Sequence, residues 1–293
     1  KSPLIVGYLS SDFRDHPLGH LMLNFFALHD RNRAKVHAYS LGPNDSSIYR
    51  ETIEESCDRF VDLSKLSDHE AANQIAIDGV DILIDLNSHT TGSRMEICAF
   101  RPAVLQITYL GFPGTSGAEF FDYILTDQIV TPLEHAPHYS EKFLWMPECY
   151  YITNHAEIIS EKVYVRGDMD LPTDGFVFAC FSQVYKITPQ LFAVWMALLN
   201  RVSDSVLWLF ASNDLAKANL KKEAAAASID PERIIFAGDL PKPDHLARLS
   251  LADLGLDTLV YGGHTTTVDA LATNVPVITI EGTHFSSRVS SSI

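Results

Sequence analysis

Along the chain, short and continuous apolar runs alternate with stretches of helical period. Leu4–Leu9, Val36–Leu41, Val80–Leu86 and Val104–Leu110 read as strands, with shorter runs at Tyr123–Thr126 and Phe143–Met146. Residues 18–29, 68–78 and 94–100 read as the helices between them. Residues 152–172 carry no clean period and lead into the turn-rich Leu171-Pro172-Thr173-Asp174-Gly175, the best linker position. Beyond it the alternation restarts. Strands are expected at 176–181, 206–210, 234–236, 254–257 and 275–280, and helices at 189–201, 214–228, 241–252 and 265–273. Strands that are apolar throughout and separated by helices imply parallel sheets covered on both faces. Two such series in tandem predict two Rossmann-like α/β domains, 1–165 and 166–293, facing across a cleft.

Composition sharpens this in a few places. An apolar fraction of 46% is ample for buried cores, and 20% charged residues argues against disorder. The net charge of -15, with no cluster of lysine and arginine, excludes nucleic acid as an expected partner. No apolar run reaches the ~18 residues of a membrane span, so no membrane partner is expected either. Four cysteines lie far apart, and Cys98 and Cys180 sit in apolar runs as buried thiols. That pattern fits a reducing, cytoplasmic setting. The chain starts without Met and ends in Ser290-Ser291-Ser292-Ile293, as if within an element, so it reads as a piece of a longer protein.

The sharpest chemical signal is Tyr261-Gly262-Gly263-His264-Thr265-Thr266-Thr267-Val268-Asp269, which follows a strand and opens a helix. Two glycines admit a ligand close to the backbone. First-turn amides and threonine hydroxyls can then hold a phosphate at the positive end of the helix dipole, with Asp269 one turn on for ribose hydroxyls. A plain glycine turn with a threonine cap has the same sequence signature. The pattern is neither GxGxxG nor a Walker loop. Two further strand ends carry matching groups: Gln183 and Lys186 in Phe181–Pro189, and Lys242, His245 and Arg248 in Pro241–Arg248. Lys186 can neutralise a leaving diphosphate, and His245 can stack on a base. Each loop alone also reads as an ordinary polar turn, but three consecutive strand ends together point to a nucleotide diphosphate.

In the first domain, three strand ends share one rim. They are Asp12–His20 with His16 and His20, Asn87–Gly92 with His89 and Thr90, and Leu110–Gly117 with Gly111, Phe112 and Pro113. A histidine there can act as general base near neutral pH, although a loop histidine bonded to backbone is the plainer alternative. His16 and His20 stand at i, i+4, but no carboxylate at motif spacing supports a metal site. There is no Gly-x-Ser-x-Gly elbow of an α/β-hydrolase.

At these residues the chain resembles the catalytic region of protein O-GlcNAc transferases. The matching segments are Val6-Gly7-Tyr8, Ser11-Asp12-Phe13, His16-Pro17, His20-Leu21-Met22, Leu110–Gly117, Thr126-Asp127, Tyr185-Lys186-Ile187 and Val206–Leu209. They continue through Arg233–Phe236, Leu251-Ala252-Asp253, Leu256-Asp257-Thr258 and Gly263–Thr266 in the same order. The resemblance implies a GT-B fold and inverting, metal-independent transfer of N-acetylglucosamine from UDP-GlcNAc to Ser or Thr hydroxyls of proteins. No cofactor is then needed, because the nucleotide sugar is a substrate. It implies Gln183 and Lys186 at the diphosphate, and Lys242 and His245 at the uridine. His264, Thr265 and Thr266 would hold phosphate and sugar, and Asp269 the ribose. His16 and Lys186 would be catalytic, with His20, His89, Thr90, Gly111, Phe112 and Pro113 around sugar and acceptor.

The link between the halves is short, as in bacterial members, and the helical tetratricopeptide repeats that precede this region in the family would belong to the full-length protein. Position 267 is Thr where the animal enzymes have Gly. A related plant-type subfamily that uses GDP-fucose also has a threonine run there, so O-fucosyl transfer is the alternative. A UDP-sugar-binding module without turnover is another. His264, His20 and the Pro113–Gly117 segment favour N-acetylglucosamine.

Overall fold

The computed structural model describes residues 2–153 and 158–293. The chain falls into two compact units, Lys1–Ala156 with Ser292, and Glu157–Ser291 with Ile293. Part of the expected linker, residues 154–157, lies outside the described residues.

The first unit is built on seven parallel strands: β1 (Leu4–Ser10), β2 (Ala34–Ser40), β3 (Arg59–Asp62), β4 (Ile82–Asp85), β5 (Leu105–Thr108), β6 (Tyr123–Thr126) and β7 (Lys142–Trp145), in the order β3-β2-β1-β4-β5-β6-β7. Helices α1 (Pro17–Met22), α2 (Ile48–Ser56), α3 (Asp68–Ile77) and α4 (Glu96–Ala99) cross over between strands. Leu9, Tyr39, Leu83, Ile75 and Ile97 form the core on one face. Strand order reverses between β1 and β4, which pair directly from Val6↔Ile82 to Leu9↔Asp85. In an open parallel sheet, the carboxyl ends on either side of such a reversal form the ligand crevice.

The second unit repeats the plan. Strands β8 (Phe176–Cys180), β9 (Ser205–Phe210), β10 (Ile234–Ala237), β11 (Leu254–Leu256) and β12 (Val277–Ile278) run parallel in the order β10-β9-β8-β11-β12. Helices α5 (Pro189–Arg201), α6 (Asp214–Ala226), α7 (Lys242–Leu249) and α8 (Thr265–Ala272) separate them, and α9 (Val289–Ser292) follows. Alternate residues of β8 enter two different cores. Phe178 and Cys180 pack with Leu191, Trp195 and Leu209; Val177 and Ala179 pack with Trp208, Ala270 and Val275. Both faces are therefore covered, as the unbroken apolar run requires. The reversal here lies between β8 and β11, joined at Leu254↔Phe178 and Gly255↔Ala179.

Four expectations need correction. The helix read over 18–29 stops at Met22 and resumes as a tighter 3-10 turn over Phe26–Leu28. Bonds from Phe25 N to Met22 O (3.0 Å) and Leu28 N to Phe25 O (3.1 Å) close the shorter period. Phe25 and Phe26 there meet Tyr8 edge-on, with centroids 5.5 and 5.3 Å away. Second, α2 and β3 lie in a stretch read as neither helix nor strand. α2 is mostly polar, capped by Ser47 accepting from Arg50 N, and β3 is a short edge strand with exposed ends. Third, the strand read at 275–280 is only Val277–Ile278. Fourth, the helix read over 241–252 ends at Leu249. All four cysteines are free thiols, and Cys98 and Cys180 are buried. Among the described residues, no helix is long and apolar enough to cross a membrane.

Candidate functional site

In the second unit, the loops after β8, β10 and β11 meet around the start of α8. Asp257, just past β11, organises this corner. Its Oδ1 accepts from Gly263 N (2.5 Å) and Thr258 N (2.7 Å), and its Oδ2 from Thr279 Oγ1 (2.7 Å). A Cβ on Gly263 would sit 2.3 Å from Thr267 Oγ1 and 2.8 Å from Thr266 Oγ1, so this glycine is demanded by space. Thr267 is buried and turned inward: its hydroxyl meets Ser290 Oγ at 2.8 Å, and Ser290 donates back to Gly263 O at 2.8 Å. Thr265 and Thr266 lie in the first turn of α8, with His264 as the residue before it.

Lys186 reaches this loop from the end of β8. Its Nζ donates to Gly262 O (3.1 Å) and lies 3.9 Å from the centroid of the Tyr261 ring. Burial pushes its pKa down to about 8, with Asp257 opposing. Burial and the neighbouring Lys186 push His264 to about 4, so its ring is neutral; its Nδ1 donates to Gly262 O at 3.3 Å. Gln183 is exposed at the start of the same loop.

The α7 side forms a second cluster. Lys242 Nζ is ion-paired with Asp269 Oδ1, and His245 Nε2 lies 3.9 Å from Asp269 Oδ2. Arg248 donates to His245 Nδ1 (3.1 Å from Nη2), which puts the proton of a neutral His245 on Nε2, facing Asp269. Burial, with Arg248 and Lys242, drives His245 down to about 3. The His245 ring packs against Phe181 with centroids 5.1 Å apart. A hollow of about 190 Å³ lies here, lined by Phe181, Phe210, Asp239, Leu240, His245 and Arg248. Asp257 and Phe181 lie in segments that the sequence singled out but were given no role there; the signal that finds them is their position at the ends of β11 and β8, the two strands flanking the reversal.

In the first unit, the three expected loops do converge. Asn87 ties the first two: its Oδ1 accepts from Ser11 N (2.7 Å), and its Nδ2 donates to Asp12 Oδ2 (2.8 Å) and Thr90 Oγ1 (3.0 Å). The third crosses directly over β4's end, where a Cβ on Gly111 would lie 2.0 Å from Leu86 O. His89 donates from Nε2 to Ser116 O (2.8 Å) and meets the half-exposed Phe112 edge-on at 5.0 Å; Pro113 follows Phe112 in the same turn. His20 bonds Asp15 Oδ1 through Nε2 (2.7 Å) and packs on Tyr49.

His16 has a more specific geometry. It caps α1, its Nδ1 accepting from Leu18 N at 3.2 Å. A neutral ring therefore carries its proton on Nε2 and presents a donor outward. Burial lowers its pKa, with Asp12 opposing, which favours that neutral form. Accepting a proton would have to occur at Nδ1 and break the cap.

Asp168 and Asp170 stand two apart, a spacing that can serve metal binding, yet Asp168 Oδ2 accepts from Val165 N (2.9 Å) as a local cap. Among the described residues no group of three or more His, Cys, Asp or Glu is arranged to hold a metal ion.

A model of glycosyl transferase family 41 matches residues 1–164 and 160–293, which is the whole chain. The chain belongs to glycosyl transferase family 41. Among family 41 relatives, a probable UDP-N-acetylglucosamine–peptide N-acetylglucosaminyltransferase SEC of Arabidopsis thaliana is 40% identical over 295 residues, 99% of this chain and 30% of its own length. The UDP-N-acetylglucosamine–peptide N-acetylglucosaminyltransferase of Caenorhabditis elegans is 30% identical over 401 residues, covering 99% of this chain and 35% of its own length. That longer alignment means the nematode protein carries extra segments that this chain lacks. A solved Thermobaculum terrenum O-GlcNAc transferase mutant superposes with a TM-score of 0.89 at 30% identity, over 99% of this chain and 55% of that one. The architecture is thus the α/β, GT-B type with two Rossmann-like domains. The chain spans about a third of the length of these two curated relatives.

Proposed function

We propose that this chain transfers N-acetylglucosamine from UDP-GlcNAc to Ser or Thr hydroxyls of proteins, with inversion and without a metal ion. The observation that carries the reading is the corner formed by Lys186, Gly262–Gly263 and the first turn of α8. It combines a cation, close backbone and a helix N-terminus, which together suit a diphosphate. The names borne by relatives at 30–40% identity support the donor and the acceptor class.

In this mechanism the acceptor oxygen bonds to the anomeric carbon as the bond to UDP breaks, and the electron pair leaves with the diphosphate. Lys186, Gln183 and the Thr265 and Thr266 groups offset that charge, with His264 holding phosphate and sugar. Lys242, His245 and Asp269 hold the nucleoside, its base entering the hollow beside Phe181 and Arg248. His16 donates from Nε2 rather than acting as base, and a phosphate oxygen of the donor takes the acceptor's proton. His20, His89, Thr90, Gly111, Phe112 and Pro113 frame sugar and acceptor. Thr267 turns inward to Ser290, so on this reading it does not touch the donor. Tetratricopeptide repeats in the full-length protein would select acceptors, and the four free thiols suit the cytoplasm. A thermal-shift screen of nucleotide sugars tests the donor. UDP-GlcNAc and UDP should raise Tm most; a larger shift with GDP-fucose, or none with any uridine nucleotide, would reject it.

A further inference from the structure

Glu141 stands just before β7, buried at 4% exposure. Its Oε1 accepts from Ser116 N (2.7 Å) and from the Ser116 hydroxyl; its Oε2 accepts from Thr115 Oγ1 (2.6 Å) and Ser140 Oγ (3.0 Å). The two residues it grips close the Gly111–Gly117 loop. Ser116 in turn offers its carbonyl to His89 Nε2 at 2.8 Å, and His89 meets Phe112. One buried carboxylate thus fixes the turn that bears Phe112 and Pro113, and through it the ring orientation and tautomer of His89.

We propose that Glu141 is a positioning residue for glycosyl transfer, holding the Gly111–Gly117 loop and His89 in register for sugar and acceptor; this rests on the function proposed above. A carboxylate, which only accepts, meets four donors here. Thr115 Oγ1 already accepts from Gly117 N (3.0 Å) and Ser140 N (3.3 Å), so its lone pairs are used and its proton must be donated. In Glu141→Gln an amide NH₂ at the Oε2 position would turn one N–H toward that filled Thr115 oxygen, and only Ser140 Oγ, by rotating its own proton away, could accept the other. The carbonyl at the Oε1 position would still serve Ser116. The variant keeps shape and volume, so the loop shifts without the core being emptied.

The test uses steady-state transfer from UDP-GlcNAc to a Ser/Thr peptide, beside UDP calorimetry and thermal melting, on wild type, Glu141→Gln and Ser116→Ala. Displacing a positioned group by about 1 Å costs ~100-fold in rate. Glu141→Gln should therefore lose ~10–100-fold in kcat/KM, through kcat and the acceptor KM. UDP affinity should stay within about twofold, because the donor corner belongs to the other unit. Ser116→Ala, which keeps the backbone bonds, should show a smaller loss of the same kind. Wild-type turnover in both variants overturns the proposal. So does a parallel loss of UDP affinity, which marks a general structural defect. If Glu141→Gln does not fold, Ser116→Ala alone decides between the two outcomes. A wild-type protein that transfers nothing from UDP-GlcNAc defeats the functional reading instead, a result distinguishable from either.

Discussion

If Lys186 holds the diphosphate as proposed, its burial should make nucleotide binding pH-dependent in a defined direction. Lys186 has its pKa depressed from 10.5 to about 8, chiefly by burial. The ammonium is thus the disfavoured form in the folded protein, and an anion placed against it restores that form. Taken at face value the difference is worth ~3 kcal/mol. Solvent reaches part of the side chain, so screening brings this to ~1–2 kcal/mol, or ~5–30-fold in affinity. Below pH 8 the charge is already present and UDP binds without proton uptake by Lys186. Above pH 8 a proton must be taken up on binding, and affinity falls. Between pH 7 and 9 the charged fraction drops from about 0.9 to about 0.1, so with that coupling UDP affinity should fall ~3–8-fold. Calorimetry in buffers of different ionisation enthalpy reads the proton directly: near zero at pH 7, and roughly a quarter to two-thirds of a proton at pH 9. Lys186→Met should bind more weakly at pH 7 and lose the dependence. A flat affinity from pH 7 to 9 with no proton uptake would refute the placement of Lys186 at the diphosphate.

Two other outcomes follow from single distances. Gly263→Ala drives a methyl to 2.3 Å from Thr267 Oγ1 and should cost ~1–3 kcal/mol of stability and ~10-fold or more in UDP affinity, whereas Gly238→Ala, with nothing within 4 Å, should change neither; equal UDP titrations for the two variants would contradict the fit at α8. His16→Asn keeps an acceptor for Leu18 N and should retain Tm, while His16→Ala loses ~1 kcal/mol with the cap. Both should lower kcat, and neither should alter the acid limb of its pH profile, because a donor through Nε2 serves in both ionisation states. An acid limb that vanishes in His16→Asn would restore the role of general base.

The position of the candidate site was legible because the carboxyl ends beside a strand-order reversal are where open parallel sheets bind ligands. The strands flanking each reversal, β1 with β4 and β8 with β11, were apolar throughout, and their trailing loops held the glycines, histidines and lysines. What sequence could not supply was orientation. Thr267 follows two other threonines in the first turn of α8 yet turns to Ser290, and His16 spends its Nδ1 on Leu18. Glu141 and Asp257 are single carboxylates whose partners lie in other loops, so no local spacing marks them. The stretch holding α2 and β3 was missed because α2 buries Arg50 through an ion pair with Glu54 and a bond to Ser40, a polar way of packing that leaves no apolar period.

On the proposed function, this chain moves N-acetylglucosamine from UDP-GlcNAc to protein hydroxyls. Intact-mass spectrometry of a Ser/Thr peptide incubated with the protein and either UDP-GlcNAc or GDP-fucose, in the presence of a metal chelator, tests it most directly. The peptide should gain one N-acetylhexosamine from UDP-GlcNAc, unaffected by the chelator and abolished in Lys186→Met. Transfer only from GDP-fucose, loss of transfer on chelation, or an unmodified peptide with tightly bound UDP would contradict it.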